Sequence, residues 1–268
     1  MQQGSEKYAD IFKAFRVRGF KACIIRPAKE VGRSGVEQEI KILRCLKGGP
    51  NILELENIIR DNQMGTPSLV FECVENIDFR PLYPTFGNED AGYYMRELLN
   101  IMHRNVRPHN IMIDHSRRKE YAEVYVPGSR YSVRVGQGFA KAPELLLQHE
   151  EYDCSLDMWN AGVIFCLIIF RKEPFFHGAS SFDFLQMIAS VLGSKGLLNS
   201  VKKYDIETTP DDVDAIPYFE KRDWRSFVDE RNEQLSSHEA VDLVNKLLQW
   251  DHKQRLTVTE ALNHPNFS

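Results

Sequence analysis

The sequence predicts an α+β fold: a small antiparallel β lobe followed by a larger helical lobe. Three observations predict it. Strand-forming runs and turn signals gather before residue 76, whereas helix-period apolar patterns dominate from residue 79 onward. No internal repeat or low-complexity tract breaks that order. The expected division is therefore an N-terminal sheet lobe with one helix over 1–75 and a C-terminal helical lobe over 76–268, together one domain.

Taken in order, K-Y-A-D-I-F-K-A-F and F-K-A-C-I-I-R within residues 7–26 alternate in polarity, and Arg18-Gly19 supplies a turn between them. That pattern is a hairpin. Residues 36–47 place Val36, Ile40, Leu43 and Leu46 near helical spacing, and Gly48-Gly49-Pro50 ends the run. Residues 52–58 and 68–74 read as two more strands, and residues 89–100, 155–170, 181–194 and 237–249 as helices.

At 268 residues, with 43% hydrophobic and 27% charged side chains, the chain has the composition of a globular protein with a large core. A net charge of -4 argues against broad binding to nucleic acid or to an anionic membrane. The five cysteines, Cys23, Cys45, Cys73, Cys154 and Cys166, are widely spaced and contain no C-x-x-C pair, which suits reduced intracellular thiols. MQQGSEKYAD has no apolar stretch of the signal-peptide kind, and the longest apolar run, Ala161 to Phe170, is too short to cross a bilayer. The expected location is the cytoplasm, the nucleus or both.

The stretch Ile101 to Asp114 concentrates the chemistry. Its segment His103-Arg104-Asn105-Val106-Arg107-Pro108-His109-Asn110 resembles the protein-kinase catalytic loop H-R-D-x-x-x-x-N, whose Asp takes the substrate hydroxyl proton and whose Asn holds magnesium. Six ordered segments extend the likeness: E-I-K-I-L (39–43), G-G-P-N-I (48–52), H-N-I-M-I-D-H (109–115), S-L-D-M-W (155–159), I-F-R-K-E-P-F-F-H-G (169–178) and D-H-K-Q-R-L-T (251–257). On these residues the chain resembles the casein kinase II catalytic (alpha) subunit family of serine/threonine kinases. The resemblance implies a two-lobed protein-kinase-like fold, with ATP and magnesium as cofactors.

It also assigns roles residue by residue. Asn105 stands where the family has the catalytic base, and a carboxamide has no charge and takes no proton at neutral pH. Arg107 of the same loop is a further catalytic position. Arg26, in C-I-I-R, replaces the third-strand lysine, and Glu39 matches the helix glutamate that pairs with it. A forked guanidinium does not present the point charge that lysine offers the phosphates. Gly4 keeps the first position of the glycine-rich loop, while Glu6 replaces its second glycine. The plain alternative, an ordinary strand pair over 4–12, is the favoured one there. Phe71, Glu72 and Val74 correspond to the hinge that binds adenine through backbone groups. Asn110 is the remnant metal ligand, because no D-[FWL]-G occurs anywhere in the chain. Only Glu120 and Tyr121 separate Lys119 from Ala122, where the family has about six more residues, the metal-binding Asp among them. Glu123 reads as an activation-segment residue.

Arg134 and Lys141 are the surviving substrate-binding cations, Gly138 replaces an arginine between them, and 32–38 has lost most of its positive charge. The framework persists by resemblance in Glu144 of A-P-E, its partner position Arg255, and Asp157 beneath the catalytic loop. The helix before the loop is about nine residues shorter than the family's, roughly 13 Å of helix. The reading is thus a casein kinase II alpha-like pseudokinase with weakened or lost ATP binding. The alternatives are an active kinase acting on acidic proteins and a scaffold for the regulatory beta subunit. Phe12, Ile25 and Val70 match positions that contact that subunit, with plain strand core as the alternative.

Overall fold

The computed structural model describes residues 2–6, 9–15, 22–27, 33–49, 51–60, 67–99, 111–115, 119–122, 141–149, 153–207, 213 and 215–267. The chain forms two compact units, one made of Met1–Asp78 with Asn110–Arg130 and the other of Phe79–His109 with Tyr131–Ser268. The first carries the sheet and the second most of the helices, so the predicted α+β arrangement is found.

In the sheet unit, β1 (Gln2–Glu6), β2 (Ala9–Phe15), β3 (Ala22–Pro27), β4 (Leu55–Arg60) and β5 (Pro67–Glu72) form an antiparallel sheet in the order β1-β2-β3-β5-β4. The hairpin expected within 7–26 is the β2–β3 pair, with Phe12 opposite Ile25. β5 holds three consecutive apolar residues, Leu69, Val70 and Phe71, all buried, as in a strand covered on both faces. Helix α1 (Arg33–Cys45) begins three residues before the predicted start at Val36, taking Arg33, Ser34 and Gly35 into its first turn. Val36, Glu39 and Leu43 turn inward at spacings of three and four. Leu43 joins Leu53, Leu69 and Phe71 in the unit's core, with Val74 and Met112 packed against it. Past the helix, Gly48 adopts φ 77°, a conformation that costs other residues a Cβ clash. Two short strands that periodicity missed, β6 (Ile111–Asp114) and β7 (Lys119–Ala122), pair as a separate hairpin.

The helical unit opens with α2 (Phe79–Leu82) and α3 (Asn88–Leu99), then α4 (Pro143–Leu146), and is organised around α5 (Ser155–Ile169). Every residue of α5 from Leu156 to Ile169 is buried, which fits a helix apolar on all sides. It is followed by α6 (Ser181–Leu192), α7 (Ser194–Lys203), α8 (His238–Leu247) and α9 (Val258–Leu262). The predicted helix over 181–194 stops at Leu192 because Gly193 turns the chain at φ 83° and starts α7. A capping box between Ser180 and Asp183 opens α6, and Thr257 with Glu260 does the same for α9. Short α3 is held at the far end of the chain: the Arg96 guanidinium donates to the Phe267 carbonyl oxygen and lies 5.6 Å from that ring's centre. No helix among the described residues is long and apolar enough to cross a membrane. Cys45, Cys73, Cys154 and Cys166 are free thiols.

Candidate functional site

In the sheet unit, Gly4 lies in β1 opposite Ile11, next to a register shift between Gln2 and Gly4. Arg26 lies in β3 opposite Leu69 of β5. Glu39 is 8% exposed on the inner side of α1. The Arg26 side chain, and with it the expected Arg26–Glu39 pair, lies outside the described residues. Phe71 is buried in β5, while Glu72 and Val74 are half-buried just after it.

The segment after β5 is fixed from two sides. Glu72 N–H donates to the Glu54 carbonyl oxygen at 3.2 Å, and the Glu72 carboxylate accepts from Glu54 N–H at 3.1 Å. Further along, Asn76 Oδ1 accepts from Ile113 N–H at 2.8 Å, and Ile77 N–H donates to the Ile113 carbonyl oxygen at 3.1 Å. The segment expected to meet adenine is therefore tied to β4 at one end and to β6 at the other. Sequence reasoning missed Asn76, because a polar residue in an irregular segment gives no periodic signal.

The catalytic-loop residues Asn105, Arg107 and Asn110, together with Glu123, Arg134 and Gly138, lie outside the described residues. β6 directly follows that loop, however, and its register with β7 is continuous: Ile111 opposite Ala122, Met112 opposite Tyr121, Ile113 opposite Glu120 and Asp114 opposite Lys119. The four-residue K-E-Y-A strand completes the hairpin, and the chain passes from Ala122 straight into E-V-Y.

In the helical unit the structure joins two predicted framework residues. Arg255 and Glu144 form a two-pronged ion pair, with Nη1 and Nη2 each 2.7 Å from a carboxylate oxygen. Their side chains are 0% and 3% exposed. Such a charge is tolerable inside only when its remaining donors are satisfied. Arg255 meets this condition: Nε donates to the Gln249 carbonyl oxygen and Nη1 to that of Ser155, both at 3.0 Å, and the guanidinium lies 5.0 Å from the centre of the Trp159 ring. Asp157, buried in the first turn of α5, is two residues from that Trp159. Lys141 is half-buried immediately before A-P-E.

Nearby, Asp251 was not singled out by the sequence. It accepts from Lys203 Nζ and Tyr204 OH, both at 2.6 Å. Burial pushes its carboxyl upward, but those two hydrogen bonds, the Lys253 backbone N–H and the Lys203 charge together hold the group below its ordinary range. His252, next in sequence, is 4% exposed, and burial lowers its imidazole below the ordinary 6.5.

Magnesium needs several charged oxygens, and the described residues gather no such set. Among the described residues no group of three His, Cys, Asp or Glu side chains could hold a metal ion. Asn110 contributes one neutral amide. Compared with known families, the chain matches a family model described as protein kinase domain over residues 4–267.

Proposed function

This chain belongs to the protein kinase domain family, and from that premise we propose that it is a casein kinase II alpha-like homologue that has lost phosphate transfer and acts by binding. In the family, catalysis is positioning plus charge neutralisation: metal ions bridge the phosphates and a carboxylate orients the hydroxyl. The observation that carries the reading is the β6–β7 hairpin. Its second strand is K-E-Y-A, and the sequence continues into residues resembling the segment that follows the metal-binding motif, so the motif's Asp has no counterpart in the sequence. Asn105 and Arg26 add the loss of the base and of the phosphate lysine. The ion pair of Glu144 and Arg255, which carries no chemistry itself, is complete.

Any ATP bound here is held weakly and without magnesium, through backbone groups of the Phe71–Val74 segment. The partner this reading carries is a regulatory beta subunit. Phe12, Ile25 and Val70 are register neighbours in one row across β2, β3 and β5. Val70 is 4% exposed and belongs to the strand core, while Phe12 is 37% exposed, so Phe12 is the better test of that contact. The cytoplasm or nucleus is the setting.

The test is transfer of labelled γ-phosphate from ATP to an acidic serine peptide, with magnesium, using the chain and its Asn110→Ala variant. No transfer above background is expected from either. Turnover that Asn110→Ala abolishes would establish the alternative, an active kinase for acidic substrates.

A further inference from the structure

The helical unit has an open groove of about 520 Å³ whose lining includes Lys221, Trp224, Arg225, Val241 and Asn245. One wall is the segment leading into the short turn Trp224–Phe227, and the other is α8. Asn245 joins them, since its Oδ1 accepts from Lys221 Nζ at 2.7 Å and from Trp224 Nε1–H at 3.1 Å. Trp224 is itself backed by an aromatic stack: its ring lies parallel to that of Phe170 at 6.1 Å and 24° from that of Phe175 at 6.1 Å. The groove is therefore preformed on packed side chains, which lowers the ordering cost of binding.

Its charges are unevenly satisfied. Lys221, Arg222 and Arg225 are exposed, and each donates to a neutral acceptor: Asn245, the Ser226 hydroxyl at 3.3 Å and the Ser236 carbonyl oxygen at 2.9 Å. Among the described residues none of the three has a carboxylate in an ion pair. The groove's two carboxylates are already engaged. Asp223 caps the turn by accepting from Arg225 N–H at 2.9 Å. Asp242 takes Lys246 at 2.7 Å and His264 at 2.9 Å. Arg225 also feels the Glu239 carboxylate, and Asp223 keeps its charge because it accepts only a backbone N–H. Lys221 and Arg222 are thus the groove's cations with no carboxylate partner among the described residues, beside Val241 and the edge of the buried Trp224.

We infer that this groove docks a short acidic segment of a partner protein, with an apolar side chain set among its carboxylates. The carboxylates meet the Lys221 ammonium and the Arg222 and Arg225 guanidiniums, which suit two-pronged contact with such groups, and the apolar side chain lies against Val241 and the edge of Trp224. The docking does not depend on the lost phosphate transfer, because the experiment reads binding alone.

That experiment is a fluorescence-anisotropy titration of the full chain with a labelled peptide of Asp and Glu carrying a central Phe. Its Asn/Gln counterpart and a single-stranded oligonucleotide of equal charge run alongside. The acidic peptide should bind preferentially, and more weakly as salt rises. The triple variant Lys221→Gln, Arg222→Gln, Arg225→Gln should lose at least about tenfold in affinity. The triple variant Lys41→Gln, Arg44→Gln, Lys47→Gln, which removes the same charge from the other unit, should stay within about twofold. Equal loss in both variants, equal binding of the neutral peptide, or tighter binding of the oligonucleotide would overturn the proposal. So would a concentration-dependent dimer that fills the groove and excludes the peptide. Should the first variant fold poorly, the single change Lys221→Gln and the peptide comparison still decide it.

Discussion

At the scale of single residues, a group whose family role is chemical contrasts with one that holds structure. Asn105 differs from an aspartate by one atom type and almost nothing in volume, but a carboxamide takes no proton at neutral pH. Arg255 is the structural group. Its side chain is 0% exposed and makes four hydrogen bonds, shared among Glu144, Ser155 and Gln249. Arg255→Met should lower stability by about 3–5 kcal/mol, since it leaves the Glu144 carboxylate buried and uncompensated. Adding Glu144→Leu should recover a large part of that loss. Chemical denaturation of the two variants measures both effects, and a double variant as unstable as the single one would show that packing around Trp159, not charge, sets the cost.

At the scale of elements, α5 and α8 show why composition alone misleads. The apolar run Ala161 to Phe170 contains Gly162, which on propensity weakens a helix. In the structure Gly162 packs against the end of α8: a Cβ there would stand 2.9 Å from Leu247 Cβ and 2.9 Å from Leu248 Cδ2. The leucine methyl can swing aside, but Leu247 Cβ is fixed to backbone. Gly162→Ala should therefore destabilise by about 1–3 kcal/mol, where an open helical glycine would gain from the change. Gly92 in α3 is the control, because nothing lies within 4 Å of a Cβ placed there. Thermal unfolding of Gly162→Ala and Gly92→Ala should move in opposite directions.

For the whole molecule, two ionisable groups next to each other in sequence, Asp251 and His252, contribute to the response to acid. Hydrogen bonds from Lys203, Tyr204 and the Lys253 backbone N–H, with the Lys203 charge, keep the Asp251 carboxyl below its ordinary range against the opposing push of burial. The unfolded chain thus takes up that proton first as pH falls, and the stability Asp251 contributes is present above about pH 4 and lost below it. His252 acts at higher pH. Burial lowers its folded value, so the unfolded chain protonates first near the ordinary 6.5, and stability declines as pH falls through that value. Denaturation midpoints followed from pH 8 to pH 3 should fall in two steps. His252→Gln should flatten the upper step, and Asp251→Asn should reduce the lower one, to which other lowered carboxyls such as Asp153 and Asp242 also contribute. An unchanged profile in either variant would remove that residue from the account.

Much of this protein could be read before any coordinate was known. Strand alternation over 7–26, the helical spacing of Val36, Ile40 and Leu43, and the apolar run of α5 are local patterns set by backbone geometry, and each marks a true element. The absence of D-[FWL]-G and the Asn at position 105 are equally plain, because losing an ionisable group needs no fold to be recognised. Other features needed the chain to close on itself. β6 and β7 are four residues each, too short for periodicity to register, and they become strands by pairing with one another. Glu144 and Arg255 stand 111 residues apart, and although the resemblance names them as partners, their burial and the further bonds of Arg255 to Ser155 and Gln249 arise only on packing. The cations of E-K-R-D-W-R look like an ordinary solvated run until α8 supplies the opposite wall and Asn245 the link. Local chemistry follows from residue identity, whereas burial and charge satisfaction depend on neighbours that only tertiary contact brings together.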